Sequence, residues 1–319
     1  MKDPIPRRTF LQKATIAGVG TALGVQAFAK PTETALKTGL TDIHIFSKHL
    51  QFLNYKEMSE AAAEIGFDGV DLTVRPGGHI LPENVEEQLP LATAQLNKVD
   101  LKPKLMTTAI TDANDAFTKK ILTSASKEGI ACYRLGYYRY PDNLSIPESI
   151  ANIQQQTREL ARLNQELNIS GAYQNHAGMH VGASIWEIWQ MLQEIDPAYL
   201  GCQYDIRHAT VEGGKSWNTG LRLINQQINS IVLKDFKWEQ SGGKWKLINT
   251  PIGEGMVDFR SYFKLLKKYQ IKVPISLHLE YDLGGAEHGK TKLTIPQKNV
   301  FQSMKKDLNK IKEMWDSIE

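Results

Sequence analysis

Three stretches of the chain carry residue types that do chemistry, and all three share one form: an apolar run, polar groups at its end, then a glycine-containing break. They are GAYQNHAGMHVG (171–182), GCQYDIRHATVEGG (201–214) and PISLHLEYDLGGAEHG (274–289). Polar groups just past the carboxyl end of a buried strand are where sheet-based enzymes meet their ligands. Those places are held by Gln174 and His176, by Asp205 and His208, and by His278 and Glu280. Carboxylates next to imidazoles can move a proton at a carbon beside a carbonyl, or hold a cation.

Each stretch belongs to a recurring unit of short apolar strand, polar loop and amphipathic helix. Strands are expected at DIHIF, GVDLTV, KPKLMTT, ACYRLG, ISGAYQ, LGCQYD, INSIVLKD and PISLHLE. Helical patterns lie between them, as in YKEMSEAAAEIG, DAFTKKILTSASKEG and PESIANIQQQTRELARLNQELN. In the last, Ile150, Ile153, Leu160 and Leu163 share one face of a 3.6-residue period. About eight such units in ~250 residues is the arithmetic of a TIM barrel. No G-x-G-x-x-G follows the first strand, as an open dinucleotide-binding sheet would require. The expected fold is a single (β/α)8 TIM barrel of the α/β class over residues 30–319.

Side-chain alternation then says which groups point inward near one rim. Asp71, Thr73 and Arg75 share a face on the second strand and lead to His79; Arg134 lies on the fourth. Gln203 pairs with Asp205 on the sixth, and Val232 with Lys234 on the seventh; Lys48 and His49 follow the first. Glu280, His208, Lys234 and His176 are the candidate acid/base groups. Lys48, His49, Arg75, His79, Arg134, Trp217 and His278 are candidates for substrate binding, with Lys48, Arg134 and Lys234 able to stabilise an enolate. A single His or Arg at a strand end is more often a satisfied structural group. Lys234 with Asp235 also reads as an ion pair, and Asp205 as a loop cap. The gathering of all these groups at one barrel end is what favours a site.

Residues 1–29 read as an export signal. Arg7 and Arg8 in RRTFLQK lead into the uncharged run ATIAGVGTALGVQAFA, with Ala27 and Ala29 before Lys30. That is the pattern handled by twin-arginine export machinery, so a periplasmic or secreted location is expected. The segment takes Lys2, Arg7, Arg8, Lys13 and Asp3 with it, and 34 basic and 34 acidic residues remain. The mature chain is near neutral, with no clustered basic surface for nucleic acid. Cys132 and Cys202 each lie in an apolar stretch and read as buried small hydrophobes rather than a disulfide. Outside the cytoplasm, and with no glycine-rich phosphate cradle, the fitting partner is a free sugar, keto-sugar or glycoside. Trp217, Trp238 and Trp245 offer faces for sugar rings, and KWEQSGGKWKL reads as a hairpin lid over the barrel mouth.

The order of strand-end motifs, VDLTVRPGGH, YQNH, YDIRH, VLKDFKW and HLEY, resembles the xylose-isomerase-like TIM-barrel superfamily of sugar isomerases, ketose epimerases and inosose dehydratases. The resemblance covers essentially the whole mature chain. It implies a divalent metal (Mn, Zn or Mg) held by Glu, Asp, His and Glu on strands five to eight. Asp205 and Glu280 match the family's Asp and last Glu, and His208 matches its substrate-binding His. Two positions depart: Gln174 stands for the first Glu, and Val232 for the metal-binding His. The expected metal set is therefore Gln174, Asp205 and Glu280 with one of His176, His208 or His278. The loss of one Glu also removes a two-carboxylate epimerisation. What remains is a single base beside an acid, suited to proton abstraction next to a carbonyl followed by β-elimination, and the expected enzyme isomerises, epimerises or eliminates from a carbohydrate by that abstraction. The alternatives are a glycoside hydrolase pairing Asp205 with Glu280, and a non-catalytic sugar-binding barrel. Homo-oligomerisation is left open.

Overall fold

The structure, a computed structural model, describes residues 39–318; the expected export signal at residues 1–29 lies outside the described residues. Eight parallel strands close a barrel: β1 (Ile43–Phe46), β2 (Gly69–Val74), β3 (Leu105–Thr108), β4 (Cys132–Arg134), β5 (Ser170–Gln174), β6 (Leu200–Asp205), β7 (Ile228–Leu233) and β10 (Ile275–Leu277). Their spatial order is β1-β10-β7-β6-β5-β4-β3-β2, so the expected TIM barrel is the observed fold. Each strand is buried on both faces, which is why each reads as a nearly continuous apolar run. Two side strands, β8 (Asp235–Ser241) and β9 (Lys244–Thr250), form an antiparallel hairpin after β7.

Around the barrel lie α1 (Tyr55–Ile65), α2 (Val85–Lys98), α3 (Thr118–Lys127), α4 (Ile146–Leu167), α5 (Ile185–Met191), α6 (Ile206–Gly213), α7 (Trp217–Ile224), α8 (Phe259–Lys268) and α9 (Gln297–Asp316). Their ends follow local chemistry. Asn54 and Glu57 form a reciprocal capping box at the start of α1, and Ser145 and Glu148 do so for α4. Gly66 closes α1 at φ 101°, a left-handed value open to glycine. Along α4, Ile150, Ile153 and Leu160 are buried, and Leu163 is partly buried. Among the described residues no helix is long and apolar enough to cross a membrane. Cys132 and Cys202 are both buried and free, as the sequence indicated.

Candidate active site

β5, β6, β7 and the segment after β10 bring Gln174, Asp205, Lys234 and Glu280 to one rim. Lys234 Nζ lies 3.1 Å from Asp205 Oδ2 and 3.7 Å from Glu280 Oε1. It also lies 2.8 Å from His208 Nε2. Lys48 Nζ approaches the same Glu280 oxygen at 3.5 Å, and His278 Nδ1 at 3.8 Å. His176 packs against His208 in a tilted arrangement with ring centroids 4.0 Å apart. Residues separated by more than 200 positions thus meet at one point.

Asp205 and Glu280 differ in kind. Asp205 has a 0 % exposed side chain. Its Oδ1 accepts the His208 backbone N–H at the start of α6, while Oδ2 accepts from Gln174 Nε2 at 2.8 Å and faces Lys234. Asn175 clamps its backbone from both sides. Asp205 is thus a cap, of helix α6 rather than of a loop, and the same carboxylate also belongs to the cluster. Burial pushes its acidity down and its pKa up, against the pull of Lys234. Glu280 is 28 % exposed. Burial raises it too, but the charges of Lys234 and Lys48 and the bond from His278 win, holding it well below the usual carboxylate range.

The histidines around them are neutral. His208 faces Arg207 Nη1 at 2.9 Å and Lys234 Nζ at 2.8 Å, one at each ring nitrogen. A neutral imidazole has one acceptor nitrogen, so one of these contacts is a close approach rather than a hydrogen bond. Burial first, then these cations, holds His208 well below the ordinary histidine value. Burial likewise drives His176 to about 4 and His278 to about 3. His278 stacks on Phe46 at 4.1 Å, and the ring also carries Lys48 and Arg75, each 5.5 Å from its centroid. Phe46 is thus the shelf that collects three of the candidate binding groups.

Arg134 and Gln174 complete the rim. Arg134 Nη1 donates to Gln174 Oε1 at 3.0 Å, and the Tyr137 hydroxyl donates to the same oxygen at 2.5 Å. Beneath the rim, Asp71 accepts from Ser276 at 2.6 Å and from Thr107 at 3.0 Å, and Ser276 touches His278 Nε2 at 3.1 Å. The barrel interior below Glu280 is therefore polar and connected.

Three expected binding residues are held in structural contacts instead. Trp217 starts α7, packs edge-on against Tyr262 and gives its carbonyl to Tyr204; it belongs to the helix layer, because the loop after β6 turns helical at once. His79 bonds the Leu53 carbonyl at 2.9 Å and packs on Tyr55, a structural role. His49 is also structural, linking Leu279 N–H to the Ala286 carbonyl. Nor does Lys234 pair with Asp235. The Asp235 carboxylate turns outward and accepts four backbone N–H groups, from Phe236, Gly253, Gly255 and Val257.

Tyr137, Phe46, Arg207 and Asn249 were not picked out from the sequence. Tyr137 follows β4 and Phe46 ends β1, so the strand-end rule could have found both. Asn249 sits on the hairpin, where it accepts from Arg207 at 2.7 Å and donates to the Glu280 carbonyl at 3.2 Å. The hairpin is as expected, turning on Gly242 and Gly243 at φ 59° and 75°. Trp238 and Trp245 lie on the same face of it as Asn249 and remain 42 % and 67 % exposed.

The expected metal set does not fit a divalent ion. Arg134 can only donate, so Gln174 must turn its oxygen to Arg134 and its NH2 toward Asp205. The volume between the two carboxylates is taken by the Lys234 ammonium, and Val232 supplies no ligand. Among the described residues no group of three or more His, Cys, Asp or Glu is arranged to hold a metal.

Residues 59–295, more than half of the chain, match the family described as Xylose isomerase-like TIM barrel. The chain belongs to the xylose isomerase-like TIM-barrel family. No curated protein matches this xylose isomerase-like sequence. Among solved structures, D-allulose 3-epimerase from Methylomonas sp. in complex with D-allulose is similar, with a TM-score of 0.63 at 15 % identity over 86 % of this chain and 98 % of that one. So is 3-keto-D-glucoside 4-epimerase from E. coli, with a TM-score of 0.62 at 13 % identity over 84 % and 99 %. The probable 3-DHS dehydratase from Bacillus anthracis gives 0.60 at 14 % identity over 85 % and 99 %. These likenesses establish the shared xylose isomerase-like barrel.

Proposed function

We propose that this chain is an exported carbohydrate-active enzyme that moves a proton at the carbon next to a sugar carbonyl, as an isomerase or epimerase or by elimination. The observation that carries the reading is Glu280, a partly exposed, ionised carboxylate ringed by Lys48, Lys234 and His278 at the barrel rim. Glu280 takes the proton. The electron pair left on carbon becomes the enolate double bond, and the carbonyl pair moves to oxygen, where Lys48 and Arg134 lie within the same rim. A carboxylate held this low is a weak base in the resting site. As negative charge grows on the substrate oxygen it draws on the same cations, so Glu280 becomes more basic as the proton leaves carbon.

The names of structurally similar proteins, which include sugar epimerases and a probable dehydratase, support this chemistry class. The twin-arginine pattern at residues 1–29 supports export, and with it a free sugar, keto-sugar or glycoside. The hydrolase alternative requires Asp205 to reach a glycosidic oxygen, and its 0 % exposed side chain is spent on Gln174, Lys234 and the start of α6.

The test is solvent deuterium exchange into a panel of keto-sugars and 3-keto-glycosides, followed by NMR. Exchange is expected in the wild type, and Glu280→Gln should lower it by ~10²-fold or more while sugar binding persists. Tight binding with no exchange into any sugar would instead identify a sugar-binding barrel.

A further inference from the structure

The geometry points to Lys234 as the built-in replacement for a metal ion: its side-chain nitrogen fills the place between Asp205, Glu280 and His208, and the barrel works without a divalent cation. The inference rests on the reading of this rim as the active site, and it departs from what the resemblance to the superfamily implies.

Four observations carry it. Nζ is 3.1 Å from Asp205 Oδ2, 3.7 Å from Glu280 Oε1 and 2.8 Å from His208 Nε2, so one nitrogen stands among both carboxylates and the imidazole of His208. Lys234 is itself buried, so the contact is not a surface pairing that solvent screens. Gln174, at the position of the lost Glu, presents its NH2 toward Asp205 and cannot turn its oxygen inward without facing Arg134 with a donor. Val232, at the position of the lost His, is two residues before Lys234 and on the same inward face. Each departure from the metal-binding pattern thus removes a ligand, and the lysine from the next inward position supplies the charge that a metal would bring.

Lys234 is a positioning residue. It holds Glu280 ionised at the rim and keeps that partly exposed carboxylate and the buried Asp205 from repelling each other, while the more exposed Lys48 meets the substrate.

The experiment reads metal uptake on the full mature protein without sugar. Wild type dialysed against manganese or zinc, then against buffer, should retain no metal by elemental analysis, and its melting temperature should not move with either ion or with EDTA. Lys234→Ala leaves Asp205, Glu280 and His208 facing an opened volume, and it should gain about one equivalent of zinc or manganese with a rise in melting temperature. Lys234→Gln removes the charge with less change in bulk and serves where the shorter variant does not fold. Stoichiometric metal in the wild type, lost to EDTA with a fall in melting temperature, would overturn the inference. So would a folded Lys234 variant that takes up no metal. Because these readings need no substrate, they stand or fall separately from sugar turnover.

Discussion

Arg134 donates Nη1 to the Oε1 of Gln174 at 3.0 Å, and that bond fixes which end of the amide Asp205 sees. Gln174→Leu keeps the side chain's approximate size but leaves Arg134 short of an acceptor and Asp205 short of a donor, both buried. The expected loss is about 3 kcal/mol of folding stability, read as a lower urea midpoint. An unchanged midpoint would show that the amide bridge contributes nothing.

His49 acts as a strut behind Glu280. Its Nε2 accepts the Leu279 N–H at 3.0 Å, so its Nδ1 carries the proton given to the Ala286 carbonyl at 3.2 Å. Burial holds it neutral, well below the ordinary histidine value. Nitrogen NMR should show one neutral tautomer with no titration between about pH 5 and 8. His49→Ala should cost about 2 kcal/mol or more and lower kcat, since Glu280 follows Leu279 directly. A titrating His49 ring would contradict the assigned bonds.

His44, fully buried on β1, has its pKa pushed down to about 4 by burial. An unfolded histidine takes its proton near 6.5, so between these values the unfolded chain binds more protons and stability drops as pH drops. The contribution is whole above about 6.5 and gone near 4. His44→Gln has no such proton to bind. Its stability relative to wild type should therefore grow through that window by roughly 3 kcal/mol, read by urea denaturation at paired pH values. A constant difference would show that His44 is solvated.

Trp245 and Trp238 share the hairpin face that meets the site at Asn249, and both are largely open to solvent. Trp245→Ala should raise KM by ~10-fold for a sugar substrate with kcat nearly unchanged, as for an aromatic face that stacks on a ring away from the reacting carbon. Equal loss in kcat would place the indole in the chemistry instead.

Much of this was legible in the sequence because the barrel strands are buried on both faces and so read as apolar runs with polar ends. Asp205, His208, Lys234 and Glu280 could be placed together from that pattern alone. What alternation could not reveal is contact across the rim. It put Lys234 beside Asp205 without showing that the ammonium stands between two carboxylates, or that Arg134 turns the Gln174 amide. Trp217 was misassigned because the glycines at 213 and 214, read as a loop, separate two helices, α6 and α7, so the indole is carried into the outer layer. His79 was misassigned because its partner, the Leu53 carbonyl, is a backbone group that no side-chain pattern marks.

Three of the four backbone N–H groups gathered on Asp235, those of Gly253, Gly255 and Val257, tie the residue after Lys234 to the segment 253–257 beyond the hairpin. Both legs of the flap are thereby pinned at the root, with no slack for a rigid-body swing. If the hairpin opens for a proposed sugar substrate, the bend at Gly242–Gly243 is left to flex in its outer half, from Lys237 to Ile248, while the lysine at its base stays fixed.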